Sequence, residues 1–204
     1  MGVAEAAAAG GIDDDDLLFA TPRLVIPRRW RQVDLEPYAA MNADPEVMRH
    51  FPATLTRAES DEFARYGDGW YEREGLGLLP LLDRFGGGFL GMCGLHRHRW
   101  YPEEVEVGWR LARHAWGHGY ATEAASRWLD HGFGPAALPR VISITDPGNT
   151  RSIAVMRRLG MTVDHRTRRW MDGGAMQVVV HAITRERWVA ASSGWAPAGG
   201  HVSE

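Results

Sequence analysis

The chain has 204 residues, 45% hydrophobic and 24% charged, with a formal net charge of −3, which at about 150 residues per domain means one domain with tails. All 23 basic residues are arginine and there is one cysteine, Cys93; lysine Schiff-base chemistry, a lysine-containing phosphate loop, an intramolecular disulfide and a multi-cysteine metal site are excluded. The longest apolar stretch, 76–82, is too short to cross a bilayer, and Met1–Gly11 has neither the basic residue nor the aliphatic core of a secretory signal, so a cytoplasmic protein is expected.

Residues 1–19 carry five acids, no arginine and few large apolar groups, and are read as a disordered acidic tail. Residues 20–189 hold all the arginines against 20 acids, a balance too mild for a nucleic-acid partner. The eight arginines from Arg151 to Arg187 form either a solvated face or a site for phosphate groups. Residues 190–204 are small and polar apart from Trp195 and read as a second tail.

Between the tails, strands and helices alternate. Arg23–Ile26 reads as a first strand. Asp34 then caps a helix with Leu35, Tyr38, Ala39 and Met41 at helical spacing. Asp44-Pro45 repeats the cap signal, and Thr56-Arg57-Ala58-Glu59 is a capping box before Phe63, Trp70 and Tyr71. Gly77–Asp83 and Phe89–Leu95 flank Gly86-Gly87-Gly88 as a β-hairpin. Val105–Leu111 is a strand in which Gly108 suggests a bulge. A loop leads into a helix carrying Ala121, Ala124, Ala125, Trp128 and Leu129 on one stripe. Then come a strand at Val141–Thr145, a helix capped by Asn149 and ended by Gly160, and a valine-rich strand at Met176–Thr184. The order is β-α-α-β-β-β-α-β-α-β-β, a mixed α/β sheet, with the late strand placed to pair across a homodimer edge.

Trp116-Gly117-His118-Gly119-Tyr120-Ala121 sits directly after a strand and before a helix. Glycines there let a ligand approach the backbone, and the first helical amides face outward at the positive end of the dipole, a site suited to pyrophosphate. Thr122 stands where a dinucleotide fingerprint needs its third glycine, which weakens a nucleotide-binding reading.

The blocks Glu106–Leu111 and Trp116–Ala124 together resemble the GNAT N-acyltransferases, and within them the branch of the ribosomal-protein N-terminal acetyltransferases. The resemblance continues in Thr145–Met161, in the opening Thr21-Pro22-Arg23-Leu24, in Asn42–Met48 and in the close Ile183–Trp188, and spans about residues 20–189. It implies a single-domain GNAT fold with a mixed, mostly antiparallel sheet flanked by helices, acetyl-CoA as donor and direct transfer to an amine acceptor. It also implies that the amides of Trp116, Gly117, His118, Gly119, Tyr120 and Ala121 hold the pyrophosphate. The pantetheine arm would pair with Trp109, Arg110 and Leu111, and Asn149 would touch it from the next helix. His114 occupies a position where the family often has arginine or glutamine, and is kept with the cofactor-binding set. The family's frequent tyrosine seven residues after the asparagine is Met156 here, so Ser152 is the candidate to protonate the leaving thiolate.

The reaction itself asks for a carboxylate. An amine at neutral pH is mostly ammonium and must lose a proton before it attacks a thioester. Glu106, between Val105 and Val107, is costly to bury without a task and is the candidate general base; the bland alternative is an exposed pleat position shared with Glu104. His96 and His98 lack companions at ligand spacing, and no metal site is expected. Trp70, Trp100 and Trp170 are candidates to line the acceptor pocket. A protein of the same fold that binds acyl-CoA without turnover is the competing reading.

Overall fold

Residues 12–171 and 174–193 are described in the structure, a computed structural model. Two hydrophobic strands lead: β1 (Leu17–Ala20) and β2 (Leu24–Pro27). Three helices follow, α1 (Gln32–Ala43), α2 (Pro45–Met48) and α3 (Arg57–Glu74). Then come β3 (Leu78–Asp83), β4 (Phe89–His98) and β5 (Tyr101–Leu111). Helix α4 (Tyr120–Phe133), β6 (Arg140–Thr145) and α5 (Thr150–Arg158) precede the hairpin β7 (Thr162–Met171) and β8 (Gly174–Thr184), and α6 (Arg185–Ser193) closes the chain. The strands form one sheet in the order β1-β2-β3-β4-β5-β6-β8-β7. Every neighbouring pair is antiparallel except β5 and β6, which are parallel.

Both faces of the sheet are covered. On β4, Met92 meets the Tyr38 hydroxyl of α1, whereas Leu95 points the other way toward Gly132 of α4. The α4 stripe expected from the sequence is buried through Ala124, Ala125, Trp128 and Leu129. At the hairpin, Asp83 accepts from the amides of Phe85 and Gly86, and Gly87 takes φ +67°, which makes the triple glycine a turn.

Several expectations need correction. The first 19 residues are not all tail: Ile12 (5% exposed) packs with Val25 and Leu82, and Phe19 (5%) meets Trp128 edge-on at 5.0 Å. Ile12, Leu17, Leu18 and Phe19 supply enough apolar surface to dock once β2 offers an edge. The second tail begins later than residue 190, because α6 runs to Ser193. The remaining tail segments, 1–11 and 194–204, lie outside the described residues. Asp34 is not the cap of α1 but its third residue, reaching back to the Arg31 amide at 3.2 Å. Gly108 pairs with Gly94 in unbroken register, and the irregularity in that ladder lies at Arg97/His98. The strand β7 lacks an apolar run because it is an edge strand whose polar and basic side chains face solvent. It also takes the place of β8 at the sheet edge, so the late strand Met176–Thr184 is not the edge strand that was expected.

Candidate active site

The parallel pair β5–β6 is joined by a single bridge, Glu106 with Ile142, and no further pair follows toward the carboxyl ends of the two strands. The strands therefore part beyond Glu106 while each keeps its other neighbour, β4 and β8. A fork at the carboxyl ends of parallel strands is where α/β sheets admit ligands. The cleft that opens there measures about 1360 Å³, larger than the roughly 300–1,000 Å³ of an ordinary small-molecule pocket.

One end of the cleft is the loop before α4. Gly117 and Gly119 take φ +82° and +80°, values that L side chains avoid, and a Cβ on Gly117 would meet nothing within 4 Å. Gly119 is the N-cap of α4 and offers no capping side chain, so the first amides of a 14-residue helix are left for an external acceptor. The loop is held from a distance. Arg23 donates to the His118 carbonyl at 2.8 Å and pairs with Glu123 at 2.6 Å, and Thr21 donates to the same carboxylate at 2.6 Å. Burial alone would raise the pKa of Glu123, but these donors outweigh it and hold the group below its ordinary value. Arg151 lies over the Trp116 ring at 4.5 Å and adds positive charge beside the loop.

At the apex of the fork, Glu106 is 6% exposed. Its Oε1 accepts from the Ile144 amide at 3.0 Å, replacing the backbone partner that β6 loses when the strands part. Its Oε2 faces His96 Nε2 at 3.5 Å and His98 Nε2 at 4.0 Å. His98 Nδ1 accepts from the Trp100 amide at 3.1 Å, so the neutral ring carries its proton on Nε2, toward the carboxylate. Burial pushes His98 below its ordinary pKa against the opposing pull of Glu106. Glu104 behaves differently, pairing with Arg140 at 3.3 Å outside the residues that line the cleft.

The cleft gathers Glu106, Ser152, Trp109, Arg110, Leu111, Trp116, Gly117, Gly119, Tyr120, Ala121 and Asn149. It does not gather His114, whose Nε2 is directed to the Phe89 carbonyl at 3.2 Å, or His118, which stacks on Tyr120. Asn149 Oδ1 caps α5 by accepting from the Ser152 amide at 3.1 Å, which leaves both donors of its amide nitrogen for a ligand. Met156 is buried and carries no hydroxyl into the site. Trp100 lines the cleft, Trp70 lines a smaller cavity beside it, and Trp170, 80% exposed on β7, lines neither. The sequence reading missed the histidines around Glu106 and the Thr21–Arg23–Glu123 clamp. The block Thr21–Leu24 was visible, but its partner lies about a hundred residues away.

Residues 23–162 match the model of the acetyltransferase (GNAT) domain. The chain is 33% identical over 128 residues to Uncharacterized protein YkkB of Bacillus subtilis (strain 168), covering 62% of this chain and 74% of that protein. It is similar to the crystal structure of a GNAT-family acetyltransferase from Bacillus anthracis, with TM-score 0.71, 25% identity and coverage of 83% and 99% of the two chains. It shares its fold with RimL, a ribosomal L7/L12 α-N-protein acetyltransferase solved with coenzyme A, at TM-score 0.67 and 13% identity over 82% and 97% of the chains. The single-domain α/β sheet forked between β5 and β6, and the match across most of its length, establish that the chain belongs to the GNAT acetyltransferase family.

Proposed function

We propose that the protein transfers an acetyl group from acetyl-CoA to a primary amine, with Glu106 as general base. One observation carries the reading: a carboxylate buried at the apex of a strand fork opens into the same cleft as the uncapped amides of α4. The donor fits that shape. Its pyrophosphate would meet the amides of Gly117–Ala121, its pantetheine arm would follow the unpaired side of Trp109–Leu111, and the Asn149 amide nitrogen would reach it from α5.

Glu106 Oε2 takes the proton of the incoming ammonium, directly or through water, and the freed nitrogen attacks the thioester carbonyl. The C–N bond forms, backbone amides of the opened strands steady the oxyanion and the C–S bond breaks. The second proton of the attacking nitrogen passes to the departing thiolate through the Ser152 hydroxyl or water, which leaves a neutral amide and a thiol. The contacts at Ile144 and at the two histidines keep the carboxylate in place. The likeness to RimL extends to the fold and leaves the acceptor open between a peptide N-terminus and a small amine. A second reading, acyl-CoA binding without turnover, is favoured by Met156, which puts a thioether where the family often has a phenol.

Calorimetry with CoA, followed by thiol release from acetyl-CoA in the presence of an amine panel, tests the reading. Saturable CoA binding with amine-dependent thiol release is expected. Binding without release with any amine would leave the second reading, and no CoA binding would overturn both.

A further inference from the structure

A buried polar chain runs through the core on the side of the sheet away from α4. Asn42 and Ser60 are both fully buried. Asn42 Nδ2 donates to Ser60 Oγ at 3.1 Å, and Ser60 Oγ donates to the Thr56 carbonyl at 2.9 Å. The other end of the Asn42 amide, Oδ1, accepts from Arg110 Nη1 at 2.6 Å. Polar groups in a core are costly unless each is paired, and here α1, α3 and β5 contribute them to orient one guanidinium.

That guanidinium is not neutralised. Its Nε is shut off from solvent and has no partner among the described residues. Its Nη2 makes no hydrogen bond among them, and no carboxylate among them pairs with it. The Phe51 ring covers one face of it at 4.2 Å from the centroid, and the side chain lies against the cleft with that Nε–H still to be paired. Burial pushes Arg110 below its ordinary pKa, yet an arginine stays charged at neutral pH. A strut between β5 and α1 would need only a neutral donor, and the unpaired Nε would then be pure cost.

The missing anion is not the donor's pyrophosphate. The loop that fits pyrophosphate precedes α4, and α4 packs on the opposite face of the sheet from α1 and Asn42. Arg110 instead shares its face of β5 with Glu106 and lines the same cleft. Four residues of strand separate their Cα atoms by roughly 13 Å, which leaves space between the two side chains for the body of a small acceptor.

We infer that Arg110, oriented by Asn42 and Ser60, binds a carboxylate on the acceptor, so that the substrates are amines carrying a carboxylate: amino acids or short peptides with a free C-terminus. The inference rests on the acetyl-transfer reading for the other occupant of the cleft.

The test compares the twenty amino acids and a set of dipeptides with their C-terminal amides, at matched concentrations of free amine, by thiol release from acetyl-CoA. For the best acceptors the acid should exceed its amide in kcat/KM by roughly 10- to 100-fold, the range of one charge-assisted hydrogen-bonded contact. Arg110→Gln should bring that ratio close to one by slowing the acid far more than its amide, and Arg110→Lys should keep part of it. An acid-to-amide ratio near one throughout the panel, which needs no variant, would overturn the inference. So would Arg110→Gln slowing acid and amide alike, the mark of a strut. If the protein binds CoA but acetylates nothing, the transfer reading fails separately, and the carboxylate site is judged by calorimetry of the same acids and amides against the CoA-bound protein. Saturable binding of acids but not amides, lost in Arg110→Gln, upholds the site; its absence overturns it.

Discussion

Replacing Glu106 by glutamine separates two roles of one side chain. The Oε1 atom accepts from the Ile144 amide at 3.0 Å, and a glutamine carbonyl preserves that bond. The proton acceptor disappears, so turnover at pH 7 should fall by roughly 10²–10⁴-fold, equivalent to about 3–5 kcal/mol of barrier at 1.36 kcal/mol per tenfold. The melting temperature and the CoA affinity should stay near wild type. Glu106→Ala should match the kinetic loss and also leave the Ile144 amide without an acceptor, at about 1–3 kcal/mol. At about 2–4 °C per kcal/mol for a protein of this size, its melting point should drop by several degrees. The assay follows thiol release from pH 6.5 to 9.5 with an amine of known pKa, and the glutamine deficit should shrink as pH rises, because more amine arrives already deprotonated. Glu104→Gln, at a carboxylate paired with Arg140 away from the cleft lining, is the control. Near wild-type rates for Glu106→Gln at pH 7, with Glu104→Gln impaired, would refute the assignment of the base; neither change having an effect would leave proton removal to water or substrate.

Gly119→Glu puts a side chain and a negative charge over the uncapped amides of α4, and calorimetry should find CoA binding abolished in a variant whose circular dichroism is unchanged; undiminished affinity would move the donor elsewhere. Phe19→Ala removes a ring packed on Trp128 and should cost about 3–5 kcal/mol, seen as a shifted denaturant midpoint; a neutral result would mean that β1 does not support the core. Burial raises Asp68 to a pKa of about 6 although it accepts from the Trp30 amide. The folded protein therefore keeps a proton that the unfolded chain releases, and this group lowers stability as pH rises from about 4 to 6. Asp68→Asn should melt above wild type at pH 7 and lose that advantage near pH 4; equal melting points at both would show that the carboxyl titrates normally.

What was legible in the sequence was whatever is written in contiguous residues. The caps at Asp44 and Thr56 hold because a side chain reaches an amide two or three residues on. The hairpin at Gly86–Gly88 holds because Asp83 and a positive φ suffice to turn the chain. The loop 116–121 is legible for the same reason, since two glycines and a helix start make an amide cradle wherever they are placed. Asp34 shows the limit of such reading: cap and third residue use the same residue types, and only the reach back to Arg31 tells them apart. The sequence does not show β1 and gives β7 only as an unbounded next-to-last strand in the element order, because each gains its stability from a neighbour and not from a strongly apolar pattern of its own.

The two halves of the cleft follow from that difference. The half proposed for the donor is built mainly from one loop, one helix start and one strand, with remote contacts from the Thr21–Arg23 clamp and from Arg151 of α5 over Trp116. The half proposed for the acceptor is assembled across the chain. Arg110 meets Asn42 over 68 residues, Asn42 meets Ser60 over 18, and Glu106 depends on Ile144, 38 residues on. Parity along β5 still relates the two sides. Glu106, Gly108 and Arg110 share one face, so a strand with no space-filling side chain at its middle position holds a carboxylate at one end and a guanidinium at the other. A Cβ at Gly108 would come no nearer than 3.5 Å to any neighbour, so the glycine is not required by close packing. Its effect is to keep the floor between Glu106 and Arg110 low, where the body of an acceptor would lie. Gly108→Ala, which adds only that Cβ, should therefore fold, bind CoA and raise KM for the acceptor more than it lowers kcat. An unchanged KM would mean that the acceptor does not cross this part of β5.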